Sequence, residues 1–410
     1  MNRPAPPHAP PAFPCAGASL MIGGLPVEAL ARRVGATPFY AYDRAAISER
    51  VRVLRHSLPR DLRLHYAVKA NPMTAVVQHL AARVDGLDVA SAGELRIALD
   101  AGVDPGSVSF AGPGKTDAEL GIAVSSGVTV SLESQGETER IARQGEIAGL
   151  RPRVAVRVNP DFELRSSGMK MGGGARPFGV DCERVPSLLR RIGSLGLDFQ
   201  GLHIFSGSQN LQAESLIEAQ NATFELALRL LRDAPAPPRS LNIGGGFGIP
   251  YFPGERRLDL TAVVANLAVR MAELEERLAD VEVALELGRY LVGEAGAYVC
   301  RVVDRKVSRG RTYLVTDGGL NHHLAASGNL GQVIRRNFPV VVANRMDCPE
   351  TEQVSVVGPL CTPLDVLADR VDLPRAQPGD LIAVLQSGAY GRSASPVGFL
   401  GHPPPGEVLV

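Results

Sequence analysis

A lysine closes one apolar run of the chain, where an amine could be held partly out of water. The run ends in Tyr66-Ala67-Val68-Lys69. A partly desolvated lysine gives up its proton more readily and can form a Schiff base with an aldehyde. A lone lysine at a strand end more often extends its ammonium to the surface, so Lys69 by itself leaves both interpretations open.

A glycine-rich segment, Asn242-Ile243-Gly244-Gly245-Gly246-Phe247-Gly248, follows a later apolar run. Closely spaced glycines let the backbone approach an anion and offer N–H groups to a phosphate. A flexible turn is the simpler explanation of the same residues.

A third candidate is the segment Glu286-Leu287-Gly288-Arg289. A carboxylate against a pyridine nitrogen keeps that nitrogen protonated, which makes the ring a strong electron sink. The planar guanidinium of Arg289 could bind a carboxylate or a phosphate of the substrate or the cofactor through two parallel hydrogen bonds. The two residues could also form a structural ion pair. Taken together, a lysine, a glycine-rich anion site and a carboxylate are what pyridoxal 5'-phosphate requires, and the combination predicts this cofactor.

Eight short apolar runs alternate with helix-like stretches and would position these groups. The runs are 62–68, 86–90, 108–111, 128–133, 153–158, 199–205, 240–243 and 281–287, and the stretches between them include 74–84, 93–101, 117–125 and 211–233. Strands that alternate with helices indicate a parallel sheet with right-handed crossovers. Eight units favour a closed (β/α)8 barrel of the α/β class, with reactive groups at the carboxyl ends of the strands. An open doubly wound sheet is the alternative.

The pattern changes after Arg289, where β-rich segments are separated by Gly, Pro or Asp. We therefore expect an N-terminal tail and lead-in over 1–36, a barrel domain over 37–289 and a mainly β domain over 290–410. The segment 36–42 could lead into the barrel or join the second domain. The proline-rich stretch 1–14 is expected to be a disordered tail, not a signal peptide.

Composition excludes several classes of protein. Lys+Arg and Asp+Glu number 43 each, so nucleic acid and an anionic membrane are not expected as partners. Five scattered cysteines without a C-x-x-C pair favour a reducing compartment. The sequence also has no apolar stretch long enough to span a bilayer, and we therefore expect a cytoplasmic location. His322 and His323 are adjacent and cannot share one face of a strand or helix, so no metal site is expected.

The chain resembles the fold-type III pyridoxal-phosphate decarboxylases, which include diaminopimelate and ornithine decarboxylases. The resemblance runs from about Thr37 onward and rests on segments beginning at His65, Asp88, Gly201, Gly207, Gly244, Glu286, Gly358 and Gly388. The segments Phe110-Ala111-Gly112-Pro113-Gly114-Lys115-Thr116, residues 203–210 and residues 318–323 are most similar to the exosortase-system-associated branch.

The resemblance implies a role for each matched position. Lys69 would hold the cofactor aldehyde, Glu286 would pair with its ring nitrogen, and Cys361 would donate a proton from the second subunit of a homodimer with shared active sites. The remaining residues implied or expected to bind or support the cofactor are Asp88, Glu94, Arg157, His203, Phe205, Ser208, Gly244, Gly245, Gly246 and Tyr390. His203 could equally be a core histidine whose hydrogen bonds are satisfied.

Departures from the family pattern bear on the substrate. Phe205 matches the histidine that stacks on the cofactor, and Thr362 matches an acidic residue of the diamine-forming members. A distal substrate ammonium would lose its partner at Thr362, and burying it unpaired is costly. Ala325 and Asn329 match an arginine and a tyrosine of diaminopimelate decarboxylases. These changes argue against diaminopimelate, lysine and ornithine. They permit a substrate without a distal amine, either a free amino acid or a carrier-protein-linked aminoacyl group.

Other functions remain as alternatives. An amino-acid racemase of this fold would place arginine, not Glu286, against the ring nitrogen. A non-catalytic cofactor-binding or regulatory protein would not need Lys69 and Cys361. A class I aldolase would use a lysine without the glycine segment, Glu286 and Cys361.

Overall fold

The computed structural model describes residues 13–164, 168–278, 280–330, 332 and 334–410. Residues 1–12 of the predicted tail lie outside the described residues. The tail was expected to extend to Pro14, but Phe13 is only 3% exposed and belongs to a cluster with Leu20 and Ile22. Its aromatic ring is removed from water, so ordered structure begins before the end of the proline-rich stretch.

The described residues form 22 strands and 10 α-helices. The strands are β1 (Cys15–Ala16), β2 (Ser19–Ile22), β3 (Leu25–Pro26), β4 (Phe39–Tyr42), β5 (Arg63–Ala67), β6 (Gly86–Val89), β7 (Val108–Phe110), β8 (Thr129–Leu132), β9 (Arg153–Asn159), β10 (Met169–Lys170), β11 (Val180–Asp181), β12 (Asp198–Ile204), β13 (Gly207–Ser208), β14 (Ser240–Asn242), β15 (Glu282–Leu287), β16 (Gly296–Ser308), β17 (Arg311–Thr316), β18 (Val340–Val342), β19 (Thr351–Val357), β20 (Val366–Pro374), β21 (Leu381–Val384) and β22 (Gly406–Leu409). The α-helices are α1 (Val27–Val34), α2 (Arg44–Ser57), α3 (Thr74–Ala81), α4 (Ala92–Asp100), α5 (Asp117–Ser126), α6 (Gln135–Ala148), α7 (Val185–Ser194), α8 (Ala213–Leu230), α9 (Leu260–Arg277) and α10 (Arg289–Val292).

The predicted barrel is confirmed. Its eight strands follow the order β9-β12-β14-β15-β5-β6-β7-β8, every neighbouring pair is parallel, and a β8–β9 pairing closes the ring. Each strand lies within two residues of one of the eight apolar runs. The strands are buried on both faces because helices cover the outside, which explains the nearly continuous apolar runs. All carboxyl ends therefore meet at one mouth.

Capping residues fix where two of the barrel helices begin. Ser91 accepts a hydrogen bond from the N–H of Glu94 at the start of α4. Thr116 and Glu119 form a reciprocal capping box at the start of α5. These caps fix the loops that follow β6 and β7 at the carboxyl mouth.

The chain divides into two compact units. One holds residues up to Glu49, Pro250–Arg257 and Arg289–Val410, and the other holds Arg50–Ile249 and Leu258–Gly288. The first is mainly β, as expected for the C-terminal part of the chain. It also takes in the N-terminal segment, because β4 pairs with β16 and with β22. The segment 36–42 thus joins the second sheet, and the two units divide the chain differently from the expected boundaries at 36/37 and 289/290.

Most of the second sheet is antiparallel. Its path is β18-β21-β16-β17-β19-β20, with β17–β19 parallel, and the long strand β16 lies at its centre. Its core includes the buried residues Phe39, Val299 and Ile382. Among the described helices, none combines the length and hydropathy needed to cross a membrane.

His322 and His323 are buried in this unit, and neither belongs to a metal-binding group among the described residues. The Nδ1 atom of His322 lies 3.3 Å from the Tyr298 hydroxyl. His323 accepts a hydrogen bond at Nδ1 from the N–H of Ala326, and its Nε2 lies 2.8 Å from the Ser387 hydroxyl. Burial lowers the pKa of His323 to about 3. Both histidines are therefore explained by packing and hydrogen bonds.

We expect His323 to make the free energy of unfolding depend on pH. Its imidazole stays neutral in the folded chain but is protonated in the unfolded chain below about pH 6.5, so stability falls as pH drops from about 6.5 towards 3. The slope from one proton is at most about 1.4 kcal/mol per pH unit. Urea unfolding between pH 5 and 7.5 should give a shallower pH dependence for His323→Gln than for the wild type. Equal slopes for the two proteins would contradict the assignment.

Candidate active site

Lys69 and Glu286 meet at the carboxyl mouth of the barrel. Lys69 lies in a single turn of 3-10 helix, Val68–Ala70, directly after β5, and Glu286 is the penultimate residue of the neighbouring strand β15. The Lys69 ammonium donates to Glu286 Oε1 at 3.3 Å. The lysine side chain is 42% exposed and the glutamate side chain 4%. A partly exposed amine thus lies beside a buried carboxylate.

His203 is the second partner of Glu286. It lies on β12, and its Nε2 is 3.3 Å from Glu286 Oε2. Burial by itself would raise the pKa of Glu286, but Lys69, His203 and Arg157 outweigh burial and hold the pKa well below its usual range. Glu286 is therefore an ionised carboxylate, as an ion-pair partner for a protonated ring nitrogen must be.

Phe205 lies one residue beyond the end of β12, and the Lys69 amine lies 5.3 Å from the centroid of its ring. A phenyl face at this distance offers an aromatic surface beside the reactive amine. It carries no hydrogen-bond donor, so any contact with a cofactor ring would be by stacking alone.

The glycine loop, residues 244–248, has no room for side chains at its first three positions. A Cβ on Gly244 would lie 2.8 Å from Phe205 Cδ2, and one on Gly246 would lie 2.8 Å from the Gly207 carbonyl oxygen. Gly244 and Gly246 also have φ of +67° and +85°, a conformation that favours glycine. Within the described residues, the N–H groups of Gly245 and Gly246 have no protein acceptor. Two N–H groups are thereby left to bind an anion.

Ser208 lies beside this loop. The N–H of Asn210 donates to the Gly246 carbonyl at 2.9 Å. Gln209 has φ of +61°, and its side chain exchanges two hydrogen bonds with the backbone of Ile249. These bonds hold the segment that follows β13 against the glycine loop.

Asp88, Arg157 and Glu94 have protein partners that the sequence pattern does not reveal. Asp88 contacts His65 Nδ1 at 3.4 Å and accepts a short hydrogen bond from Ser109. Burial lowers the pKa of His65, but the Asp88 carboxylate outweighs burial and raises it above the ordinary value. Asp88 thus supports the barrel interior.

Arg157 is held by Glu133 at 2.7 Å and lies over the Phe178 ring. Glu133 also accepts from the N–H groups of Gly112 and Gly179, which orients the guanidinium. Glu94 accepts from the N–H of Ala90, and burial raises the pKa of its carboxyl.

Arg289 and Tyr390 belong to the other compact unit and lie together. The Arg289 guanidinium is 4.6 Å from the Tyr390 ring centroid and donates to the Tyr251 hydroxyl at 2.8 Å. The Nε of Arg289 is buried and has no hydrogen-bond partner among the described residues. Tyr251 was not predicted from the sequence, although its position shortly after the glycine loop could have indicated a residue near the site. A buried guanidinium with an unused donor is suited to an anion.

Cys361 and Thr362 lie in a turn formed by residues 358–365 of the same unit. Cys361 is exposed. Asp365, another residue that sequence reasoning missed, accepts from the N–H of Leu360 at 2.8 Å and from the N–H of Leu320 at 2.6 Å. It is almost completely buried, so its carboxylate fixes the turn and does not face ligands.

The barrel mouth fits pyridoxal phosphate. An exposed amine, a buried ionised carboxylate and an aromatic ring converge on one another, and the adjacent glycine loop leaves no space for a Cβ but leaves N–H groups for a phosphate. These are the groups that the cofactor's aldehyde, ring and phosphate need.

The comparisons agree with this fit. The family model for the pyridoxal-dependent decarboxylase pyridoxal-binding domain matches residues 44–293. L-glutamyl-(BtrI acyl-carrier protein) decarboxylase of Niallia circulans is 39% identical over 389 residues, which cover 93% of this chain and 90% of the relative. Diaminopimelate decarboxylase of Methanothermobacter thermautotrophicus is 32% identical over 400 residues, covering 95% and 90%. The crystal structure of Helicobacter pylori diaminopimelate decarboxylase with L-lysine matches with a TM-score of 0.81 at 26% identity, covering 94% of each chain.

The chain therefore belongs to the fold-type III pyridoxal-dependent decarboxylases, and it is a carboxy-lyase that uses pyridoxal phosphate.

We expect Gly245→Ala to damage the anion-binding region. The new methyl group would overlap the Glu286 carbonyl oxygen and lie 2.8 Å from Leu287 Cδ2. Overpacking of this kind costs about 1–3 kcal/mol of stability. Urea unfolding and the dissociation constant of pyridoxal phosphate should both show the loss. Gly114→Ala is the control, since nothing lies within 4 Å of its Cβ position. Equal cofactor affinity in the two variants would contradict the role of the loop.

Proposed function

We propose that this decarboxylase removes the α-carboxylate of an aminoacyl substrate that lacks a free distal ammonium and is attached to a carrier protein. The observation that carries this proposal is the turn at Cys361. Thr362 follows the cysteine, and the Asp365 carboxylate is occupied by two backbone N–H groups. No carboxylate of this turn is free to pair with a substrate ammonium.

Similarity supports the carrier-linked form of the substrate. The Niallia circulans relative is named for a glutamyl group on an acyl-carrier protein, and it matches over 93% of this chain. In such a substrate the second carboxyl is engaged in the link to the carrier, so the site needs to recognise only the amino-acid end. A free small amino acid without a distal amine is the other form compatible with Thr362.

Each step of the proposed decarboxylation can then be assigned to a side chain. Bound pyridoxal phosphate supplies an electron sink for the charge left at Cα after CO2 departs. Lys69 would hold the cofactor through its aldehyde. Glu286, kept ionised by Lys69 and His203, would pair with the ring nitrogen. The Cys361 thiol would donate a proton to the substrate Cα.

We include in the proposal a homodimer in which Cys361 completes the partner's site. The exposed position of Cys361 supports this arrangement. We also propose a place in the exosortase-associated branch and a part in exopolysaccharide biosynthesis, both from the resemblance of the sequence motifs. The scattered cysteines support a cytoplasmic location.

A racemase is the competing reaction for the same fold. In a racemase of this fold an arginine contacts the ring nitrogen, which weakens the electron sink. Here Glu286 is on β15 at the barrel mouth and contacts Lys69 and His203. A regulatory protein without activity would have no need for the exposed thiol of Cys361 beside the buried Asp365 that fixes its turn.

The test is CO2 release by the cofactor-loaded protein from three classes of substrate: carrier-linked aminoacyl groups, free small amino acids and diaminopimelate. We expect release from a carrier-linked or small amino acid and none from diaminopimelate. Cys361→Ala should slow amine formation by about 100-fold or more, the usual contribution of a general acid. Cys348→Ala should match the wild type. Turnover of diaminopimelate would refute the substrate assignment, and equal rates in the two cysteine variants would refute the proton donor.

A further inference from the structure

The inside of the barrel is not filled as barrels of this type usually are. Barrel interiors are generally packed by layers of bulky branched side chains. Here most of the residues that line the lower interior are small or polar, although Val108 and Leu202 also line it, and they leave a cavity of about 610 Å³. The lining residues that belong to the strands include His65, Ser109, Ser131, Ala155, Asn242 and Ala284.

The cavity begins among exposed residues at the amino-terminal ends of the strands, opposite to Lys69. Arg63, Arg239 and Glu282 line this end. Arg63 and Glu282 pair at 2.6 Å, yet their side chains remain 48% and 58% exposed. A polar space with exposed charged residues at its entrance is suited to water and small polar solutes.

His203 lies at the inner end of the cavity and is 3% exposed. Its Nδ1 lies 3.3 Å from the Ser131 hydroxyl, and its Nε2 lies 3.3 Å from Glu286 Oε2. The His203 ring therefore lies between the Ser131 hydroxyl and the Glu286 carboxylate. His203 therefore both lines the cavity and places a ring nitrogen 3.3 Å from the Glu286 carboxylate.

We propose that His203 is a positioning residue for Glu286, and that the cavity below it is a solvent channel that opens this pair to the amino-terminal end of the barrel. The channel keeps one side of the His203–Glu286 pair in contact with water when a cofactor and substrate close the carboxyl mouth. This inference rests on the proposed pairing of Glu286 with the ring nitrogen. The existence of the channel does not depend on that pairing.

The channel is tested by thiol labelling of the holoenzyme. Ala155 lines the cavity, whereas Val156, its neighbour on β9, is buried and does not. Successive strand residues face opposite sides, so the pair isolates access through the barrel interior. Mass spectrometry of the peptides should show that a small charged methanethiosulfonate modifies Ala155→Cys at least about tenfold faster than Val156→Cys. Equally slow labelling would overturn the channel, whatever the enzyme's substrate.

The role of His203 is tested by chemical rescue. His203→Ala should release pyridoxal phosphate about tenfold faster, because a buried charge loses one of its partners. Imidazole should restore cofactor retention and the wild-type absorbance of the bound cofactor, since the void joins the channel. His203→Gln, which keeps a donor, should lie between the two.

Phe205→Ala is the matched control for the rescue. Phe205 lies two residues further along the chain and does not line the cavity. Imidazole should not restore its cofactor retention. Failure of imidazole to restore His203→Ala, or equal restoration of Phe205→Ala, would overturn the positioning role. Because retention and absorbance are measured without substrate, either result is distinct from failure of the proposed decarboxylation.

Discussion

The buried carboxylate of Glu286 is the constraint on which the site depends. An ionised group with a 4% exposed side chain is costly to remove from water unless cations and donors compensate it. Lys69 after β5 and His203 on β12 supply that compensation. The two lie far from Glu286 in sequence. Closure of the ring places β5 directly beside β15, and β12 lies two strands away on the other side, which brings both partners to one carboxylate.

The same closure gives the glycine loop its shape. The Gly244 carbonyl accepts from the N–H of Glu286, and the Gly245 Cβ position is taken by the Glu286 carbonyl oxygen. The loop is therefore packed against the strand that carries the carboxylate, so the proposed anion site and the proposed ring-nitrogen site would have a fixed separation. A phosphate and a pyridine ring of one cofactor require this kind of rigid spacing.

Local patterns predicted most of the architecture. Eight apolar runs fell on the eight barrel strands, and Lys69, the glycines and Glu286 followed from their types and positions. The partners of Asp88, Glu94 and Arg157 could not be read from the sequence, because they depend on side chains that approach across strands and loops. The pairing of β4 with β16 and the unfilled barrel interior also could not be predicted, because both depend on residues that are far apart in the sequence.

The most direct measurement is the attachment site of the cofactor. The chain has only four lysines, Lys69, Lys115, Lys170 and Lys306, so borohydride reduction of the loaded protein followed by peptide mass spectrometry gives an unambiguous answer. We expect pyridoxyl modification of Lys69 alone, with the cofactor absorbance of the Schiff base lost in Lys69→Ala. Modification of another lysine, or unchanged absorbance in that variant, would contradict the pairing of Lys69 and Glu286 as the centre of the site.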